Sequence, residues 1–525
     1  MSRPARRLIF YPLLAAFAAA SAVWFLHVPR RTDRLAWTVP AGARWVSLHR
    51  GLAGRWAAIA ANPLAFEAAR LAGISSQEWI AVRADETLTS WMRRLAGDEV
   101  LIAQFPVGPG RRAWGAASWI GGRAQRLRGL LNVGAMPGIR RLCDHRGRPV
   151  WLAGGRVLPD APHLSFALEE GMIVACLSDH PADILRMLDA YDGMTPRDPE
   201  AELLHARPLA GFDTGFWDLG TGPGPDRIEI GLTRFDAASI SGTVILSGWE
   251  IPLPVPASSV YDLSGAAAVL GAHPAGVAVV PAGVAEALAQ PLWRRPWMSW
   301  MWGAARQRAG DPLVIGLHGD ALSGRFMGMR IPGLTISMPV RDPAAFPAAL
   351  DPVLDRLNAE TRWGLIRASV PGAPELSMIE GTGAGPYAGL PPNECAAWWT
   401  TNGWLTIAAS ADTLRALSAA AAAGTPVGAA PWAARPGLAG NAGWAWFDLA
   451  RTCETLRLSL SVWSLKLQVE DRDGSAARRA QLAAAREALA AFGTLGTAMC
   501  GLDATDGVLT IRFQAGGSSH EETLP

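Results

Sequence analysis

Lysine is nearly missing from this chain. The 525 residues contain a single one, Lys466, so almost every base is arginine. Charge is also sparse: charged residues make up 18% and the net charge is only +2. No basic stripe of the kind that tracks a phosphate backbone stands out, which argues against nucleic acid as a partner. Cysteine is scarce and scattered, with five residues at positions 143, 176, 395, 453 and 500. No Cys-x-x-Cys occurs, so neither a zinc site nor a thioredoxin-like redox motif is expected. An odd count leaves at least one thiol unpaired, and Cys176, in an apolar strand-like run, reads as a small buried hydrophobe.

Catalytic signatures are missing too. There is no Gly-x-Ser-x-Gly elbow, no His-Glu-x-x-His and no Gly-x-x-x-x-Gly-Lys. No dinucleotide fingerprint precedes a helix. The nine histidines show no zinc-like pair. Asp144-His145 is a tight acid–histidine pair and reads as part of a solvated loop. These absences leave no cofactor, no metal ligand and no catalytic residue to nominate.

Hydrophobic residues are plentiful, at 50%, so the chain can bury ordinary cores and its length allows about two to four domains. Tryptophan is abundant, with 23 residues. A GC-rich genome would favour it alongside arginine, and selection for binding would favour it as well. One uncharged apolar run, Leu8 to Val28, follows Arg3, Arg6 and Arg7. At 1.5 Å per residue it spans roughly 31 Å, the thickness of a bilayer's hydrocarbon layer. Ala20-Ser21-Ala22 offers a signal-peptide cleavage site. The run continues past it through Val23-Trp24-Phe25-Leu26, however, and this favours an uncleaved anchor. Residues 1–35 are therefore expected to be a cytoplasmic tail and a single transmembrane helix, which meets the lipid bilayer through residues 8–28. The bulk of the chain would lie outside the inner (cytoplasmic) membrane, in a periplasm where one exists. Arg30, Arg31 and Arg34 weaken the charge bias that would set this orientation.

The rest of the chain repeats itself. Ala-Asp-x-Leu-Arg-x-Leu occurs at Ala182–Leu188 and at Ala411–Leu417. About twenty residues later comes Ala-Arg-Pro, at Ala206–Pro208 and Ala434–Pro436. It leads to two aromatics and Asp-Leu, at Phe216–Leu219 and Trp446–Leu449. Both copies open with Pro-Ala-Gly, at Pro40 and Pro274, before a strand-like run and a helix expected to stop near Pro63 or Pro291. Both carry Ser-Trp-Met (Ser90–Met92, Ser299–Met301) ahead of a Gly-Asp turn (Gly97-Asp98, Gly310-Asp311) and an extended run. Both form a hairpin, around Glu169-Glu170-Gly171 and around Asn402-Gly403, where positive φ is tolerated. Both close with Gly-Leu-x-x-x-Asp, at Gly231–Asp236 and Gly501–Asp506, and a final strand.

The expected fold is α+β: a tandem duplication of one module with largely antiparallel sheets and packed helices, after the transmembrane helix. The first module is placed at residues 36–248, a proline-rich linker at 249–264, and the second module at 265–525 with an insertion at about 450–500. Asp342–Asn358 is the clearest helix, with Phe346, Leu350, Val353, Leu354 and Leu357 at helical spacing. Within the insertion, Leu456, Leu458, Leu460 and Val462 alternate, and a helix follows Ser475.

Asp218 and Asp448, each beside two aromatics, fit a turn or helix cap better than a general acid, because both copies have the residue. The candidate binding feature is Trp293-Arg294-Arg295-Pro296-Trp297-Met298-Ser299-Trp300-Met301-Trp302. Trp293, Trp297 and Trp300 share a helix face, with Trp302 beside them. Such a stripe suits an apolar ligand, a peptide groove or a membrane surface, or else it packs into the core.

The layout resembles uncharacterised bacterial signal-anchored extracytoplasmic proteins that carry a domain of unknown function. The resembling residues are the Pro-Ala opening, the Gly-Asp strand, and the hairpin followed by Ala-Asp-x-Leu-Arg-x-Leu, and they span most of residues 36–525. The resemblance implies no activity. Three functions are then open. The first is a non-enzymatic binding or scaffold protein of the envelope, with an envelope protein or a lipid as partner. The second is a carrier of a lipid or other apolar ligand in a groove between helix and sheet. The third is an envelope hydrolase.

Overall fold

The computed structural model describes residues 28–516 except 72–78, 81–89, 91–92, 155–161, 207–210, 220–224, 249–260, 272–273, 290–301, 306–309, 320–323, 327–328, 384–388, 392–393, 424–431, 433–438, 471–474 and 506–507. The expected transmembrane run thus lies outside the described residues but for Val28, and so does most of the expected linker. Among the described residues no helix is long and apolar enough to cross a membrane. The chain mixes helix and strand, at 35% and 41%. It divides into two compact units: residues through 60 with 77–220 and 227–234, and residues 61–76 with 221–226 and 235 onward.

Among the described residues the first unit holds nine strands, all paired antiparallel: β1 (Trp45–Arg50), β2 (Glu99–Gly108), β3 (Arg111–Trp119), β4 (Ile139–His145), β5 (Arg148–Ala153), β6 (His163–Glu169), β7 (Met172–Ser178), β8 (Asp213–Asp218) and β9 (Arg227–Phe235). Their order across the sheet is β9-β8-β1-β2-β3-β7-β6-β5-β4. The strands form because β-branched and aromatic residues alternate with small or polar ones. The turns form because residues that tolerate positive φ sit at the hairpin tips. Glu170 and Gly171 have φ of 41° and 91°, as the hairpin signal requires.

One face of this sheet is closed by the 3₁₀ helix Thr32–Thr38 and by the helices Ile184–Tyr191 and Pro199–Ala206. The repeated Ala-Asp-x-Leu-Arg-x-Leu segment starts the second of these. Its buried face is Ile184, Met187 and Leu188, with Leu185 only half-buried, so the stripe lies one position away from the expected Leu185/Leu188 pair. The Gly-Asp turn is explained by crowding: a Cβ on Gly97 would come within 1.7 Å of the Trp119 carbonyl oxygen.

The second unit continues the strands: β10 (Ser239–Ser247), β11 (Gly276–Val280), β12 (Leu313–His318), β13 (Gly324–Phe326), β14 (Met329–Ile331), β15 (Gly333–Pro339), β16 (Leu365–Val370), β17 (Ala373–Gly381), β18 (Ala397–Thr401), β19 (Trp404–Ala408), β20 (Gly443–Asp448), β21 (Thr497–Thr505) and β22 (Val508–Gly516). Among the described residues β13 and β14 pair only with each other. The others run β10-β22-β21-β20-β11-β12-β15-β19-β18-β17-β16, again all antiparallel. From β21 to β16 this series takes the strands in the same relative chain order as β9 to β4 in the first unit.

Helices Ser264–Leu270 and Ala411–Ala422 cover one face, and helix Ala345–Thr361 covers the other beside β16–β19. The insertion is a pair of helices, Leu449–Glu470 and Ser475–Gly493, packed on each other. The alternating run at Leu456–Val462 is therefore helical, not extended. Within it Ser459 Oγ and Ser461 Oγ donate to the carbonyls of Thr455 and Arg457 one turn back, at 3.0 and 2.8 Å, which satisfies these hydroxyls inside a helix. Asp448 accepts the Arg451 N–H at 3.1 Å and so caps the first of these helices. The helix Leu52–Ala61 stops just before Asn62-Pro63, as expected of the proline. Pro63 begins a new helix, Pro63–Leu71, and Asn62 Oδ1 accepts the Leu64 N–H at 2.9 Å.

Candidate functional site

The first unit opens an apolar groove where the corresponding part of the second unit is filled. Helix Arg123–Asn132 links β3 to β4 and lies over the sheet face opposite the helix Ile184–Tyr191. Ala124, Leu127 and Leu131 point inward at helical spacing, while Arg123 and Arg126 face outward or toward the rim. Gly134, at φ 67°, ends the helical stretch, and Met136 and Ile139 continue the wall. The helix is only 10 residues long and covers the sheet incompletely. Between it and the sheet is a groove of about 300 Å³, lined by Leu95, Leu127, Met136, Ile139, Ala153, Leu164, Phe166, Ile173 and Ala175. Every lining side chain is apolar. The volume sits at the lower end of the usual ligand-site range. Arg128 reaches inward and donates to the Leu168 carbonyl, which ties the helix to β6.

In the second unit helix Ala345–Thr361 links β15 to β16, the same step of the chain, and is 17 residues long. Phe346, Leu350, Leu354 and Leu357 are buried against Trp398, Ile379 and Leu405. Phe346 meets Trp398 edge-on at 5.6 Å.

Next to the groove the sheet face carries an exposed apolar row. Cross-strand register aligns Trp217, Trp45, Gln104, Trp114, Leu177 and Leu164 across β8, β1, β2, β3, β7 and β6. Trp217, Trp114, Leu177 and Leu164 are 46%, 40%, 43% and 45% exposed, and Leu164 also lines the groove. Single exposed apolar residues are ordinary, but Gln104 interrupts the row, and its contiguous exposed part, Trp114, Leu177 and Leu164, marks an interaction surface.

One and two residue rows deeper on the same face lies a polar network. His49 Nδ1 is 2.8 Å from Asp213 Oδ1, and His49 Nε2 is 3.0 Å from Ser47 Oγ. Arg55 grips Asp213 with two bonds of 2.8 and 2.7 Å. Burial alone would raise the Asp213 pKa, but hydrogen bonds and charge from His49 and Arg55 outweigh it and hold the carboxyl below its usual range. The Trp45 indole N–H also donates to Ser47 Oγ, at 3.1 Å. The serine, histidine and aspartate follow the order of a nucleophile, its base and the group that orients the base. Ser47, however, is buried in the middle of a strand paired on both sides. Alignment of Phe216-Trp217 with Trp446-Phe447 puts Ala278, Val280 and Gly443 at the matching places, so the second unit has no such network. Sequence reasoning missed it because Ser47 and His49 are separated from Asp213 by more than 160 residues. The one available signal was a polar Ser-x-His alternation in an otherwise apolar strand.

The residues nominated from sequence fall elsewhere. Trp293, Trp297 and Trp300 lie outside the described residues. Trp302 is half-buried and packs against the core beneath helix Ala345–Thr361. His145 does not pair with Asp144. It reaches Asp189 at 2.9 Å and is half-buried, while Asp144 bonds to Arg141. All five cysteines are free. Burial, with help from the Asp183 charge, pushes the Cys176 thiol up to about 12, which fits an inert core position. Among the described residues no group of three His, Cys, Asp or Glu is placed to hold a metal ion.

No protein family and no curated protein matches this chain. Among solved structures, the chain described as "Structure of crystal form I of TP0453" is similar over 43% of this chain and 83% of that one, at 10% identity and a TM-score of 0.27.

Proposed function

We propose that this is a membrane-anchored, extracytoplasmic binding protein of the bacterial envelope, built by tandem duplication of one module, whose first module carries a lipid or other apolar ligand. The groove under helix Arg123–Asn132 carries the reading: it is lined only by apolar side chains and is open at the surface. An apolar cavity of that size gains little from water and much from a hydrocarbon chain. The shared strand order and the paired motifs support the duplication. The apolar run at 8–28 supports the anchor in the inner membrane and a periplasmic or extracytoplasmic body. The resemblance to uncharacterised signal-anchored envelope proteins is consistent with both. The chain works without a cofactor and without catalysis in this reading. Native mass spectrometry of the full chain in mild detergent, with lipid analysis of what co-purifies, tests it. A stoichiometric lipid supports the carrier. A ligand-free chain that brings down a defined envelope protein replaces it with a scaffold.

A second reading, an envelope hydrolase, is favoured by the Ser47–His49–Asp213 order alone. Under it a fluorophosphonate labels Ser47. Under the first reading Ser47, behind Trp45 and 4% exposed, stays unmodified.

A further inference from the structure

The carrier reading leaves open what kind of amphiphile the groove takes, and the exposed row beside it ends in uncompensated positive charge. Arg112 lies two residues before Trp114 on β3, on the same face. It shares a depression of about 220 Å³ with Arg44 and Gln104. Arg112 reaches only Gln104, at 3.4 Å, and Arg44 has no side-chain partner, so neither guanidinium has an acidic partner among the described residues. The neighbouring Arg111, by contrast, is paired with Asp183 at 3.3 Å. Arg148 is likewise held by Glu169 and Asp192. Two unmatched guanidiniums at the end of an apolar row form a place where carboxylate or phosphate oxygens are held by charge-assisted bonds.

The spacing suits a chain. Leu164, at the groove, is two strands from Trp114, or roughly 10 Å, and Arg112 is roughly 7 Å further along β3. The diagonal of about 12 Å is spanned by a medium acyl chain, helped by the reach of the arginine side chain.

Resting on the carrier reading, we infer that the ligand is an anionic amphiphile whose acyl chain lies in the groove and along the Trp114–Leu177–Leu164 row, and whose acidic head is held by Arg44 and Arg112. A fatty-acid carboxylate and a lysophospholipid phosphate share this chemistry.

The test uses the full chain in phosphatidylcholine nanodiscs, with empty nanodiscs as background, and three probes of equal chain length: laurate, lauroyl lysophosphatidate and dodecanol. The wild type is expected to bind both anions at least about tenfold more tightly than the neutral alcohol. Arg44→Gln with Arg112→Gln, both at the surface, should remove that preference and leave dodecanol binding as it was. Preference for one anion over the other identifies the head group and keeps the inference. Equal affinity for laurate and dodecanol, or a preference that survives the double variant, overturns the head-group inference while the groove stands. Failure of all three probes overturns the carrier reading and the inference with it. Ala175→Trp, with folding checked by thermal melting, fills the groove and should abolish all specific binding. Binding that persists in that variant places the ligand elsewhere and overturns the inference.

Discussion

Helix Arg123–Asn132 in the first unit and helix Ala345–Thr361 in the second hold the same place between matching strands, but an apolar groove opens beneath the first while the second buries Phe346, Leu350, Leu354 and Leu357. The difference comes from length and side-chain volume. The second helix spends 17 residues and the first 10, and the second places a phenylalanine and three leucines against a tryptophan. The first has Ala124 and Leu131 fully buried, with Leu127 at the edge of the groove. A module that folds with the site filled does not need it empty. Under the proposed duplication the opening in the first unit departs from what the fold requires, and such a departure is where function is to be sought. The Ser47–His49–Asp213–Arg55 network is a second departure on the same face of the same unit.

The largest effect separates the two helices directly. Leu354→Ala, at a position 4% exposed, should cost about 4 kcal/mol, because it opens a cavity in a packed core. Leu127→Ala should cost less than about 1 kcal/mol, because the groove is already open there. Urea unfolding of the full chain reads both. Equal costs would mean that the groove is closed in solution.

A smaller effect concerns His318, which is fully buried on β12 where the matching place on β2 holds Phe105. Burial, with the Arg451 charge, pushes its pKa down to about 4, so it is neutral when folded. The unfolded chain takes up a proton below about pH 6.5 and the folded chain does not until about pH 4. Stability is whole above that window and falls by about 1.4 kcal/mol per pH unit as the pH drops through it. His318→Phe, the first unit's solution, should flatten the profile. Unfolding midpoints from pH 7 to pH 4 decide it, and an unchanged slope in the variant would rule out this histidine as the source.

Asp213→Asn should cost about 2 kcal/mol, since Arg55 and His49 lose the charge they were arranged around. The Asp213 carboxyl has a depressed folded pKa. Its contribution is therefore complete above the ordinary aspartate value and is lost as the pH falls through the lower folded value. In the variant that acid-range loss should vanish. The smallest change in stability belongs to Ala175→Trp, within about 1 kcal/mol of the wild type because it fills space rather than displacing atoms. A large destabilisation would mean that the groove has no room for the ring.

Much of the fold was legible because the residues that fix it act locally. The Asn402-Gly403 turn, the leucines of Ala411–Leu417 and the face of Phe346–Leu357 each follow from a short period or a required φ. The run at Leu456–Val462 was misread because a few leucines spaced two apart fit either period. The groove was not legible in residue terms. Leu127, Phe166 and Ala175 look like ordinary core residues, and an empty space is a property of how much volume meets, not of which residues do. The Ser47–His49–Asp213 contact was hidden by chain separation, and Asp213 has no motif of its own.

The most direct test of the account is photo-crosslinking of the full chain with a diazirine-bearing fatty acid, followed by mapping of the labelled peptides. The account predicts adducts on the segments 127–139 and 153–175 and none on the matching segments 345–381 and 397–408. Adducts spread evenly over both units, or concentrated on helix Ala345–Thr361, would contradict it.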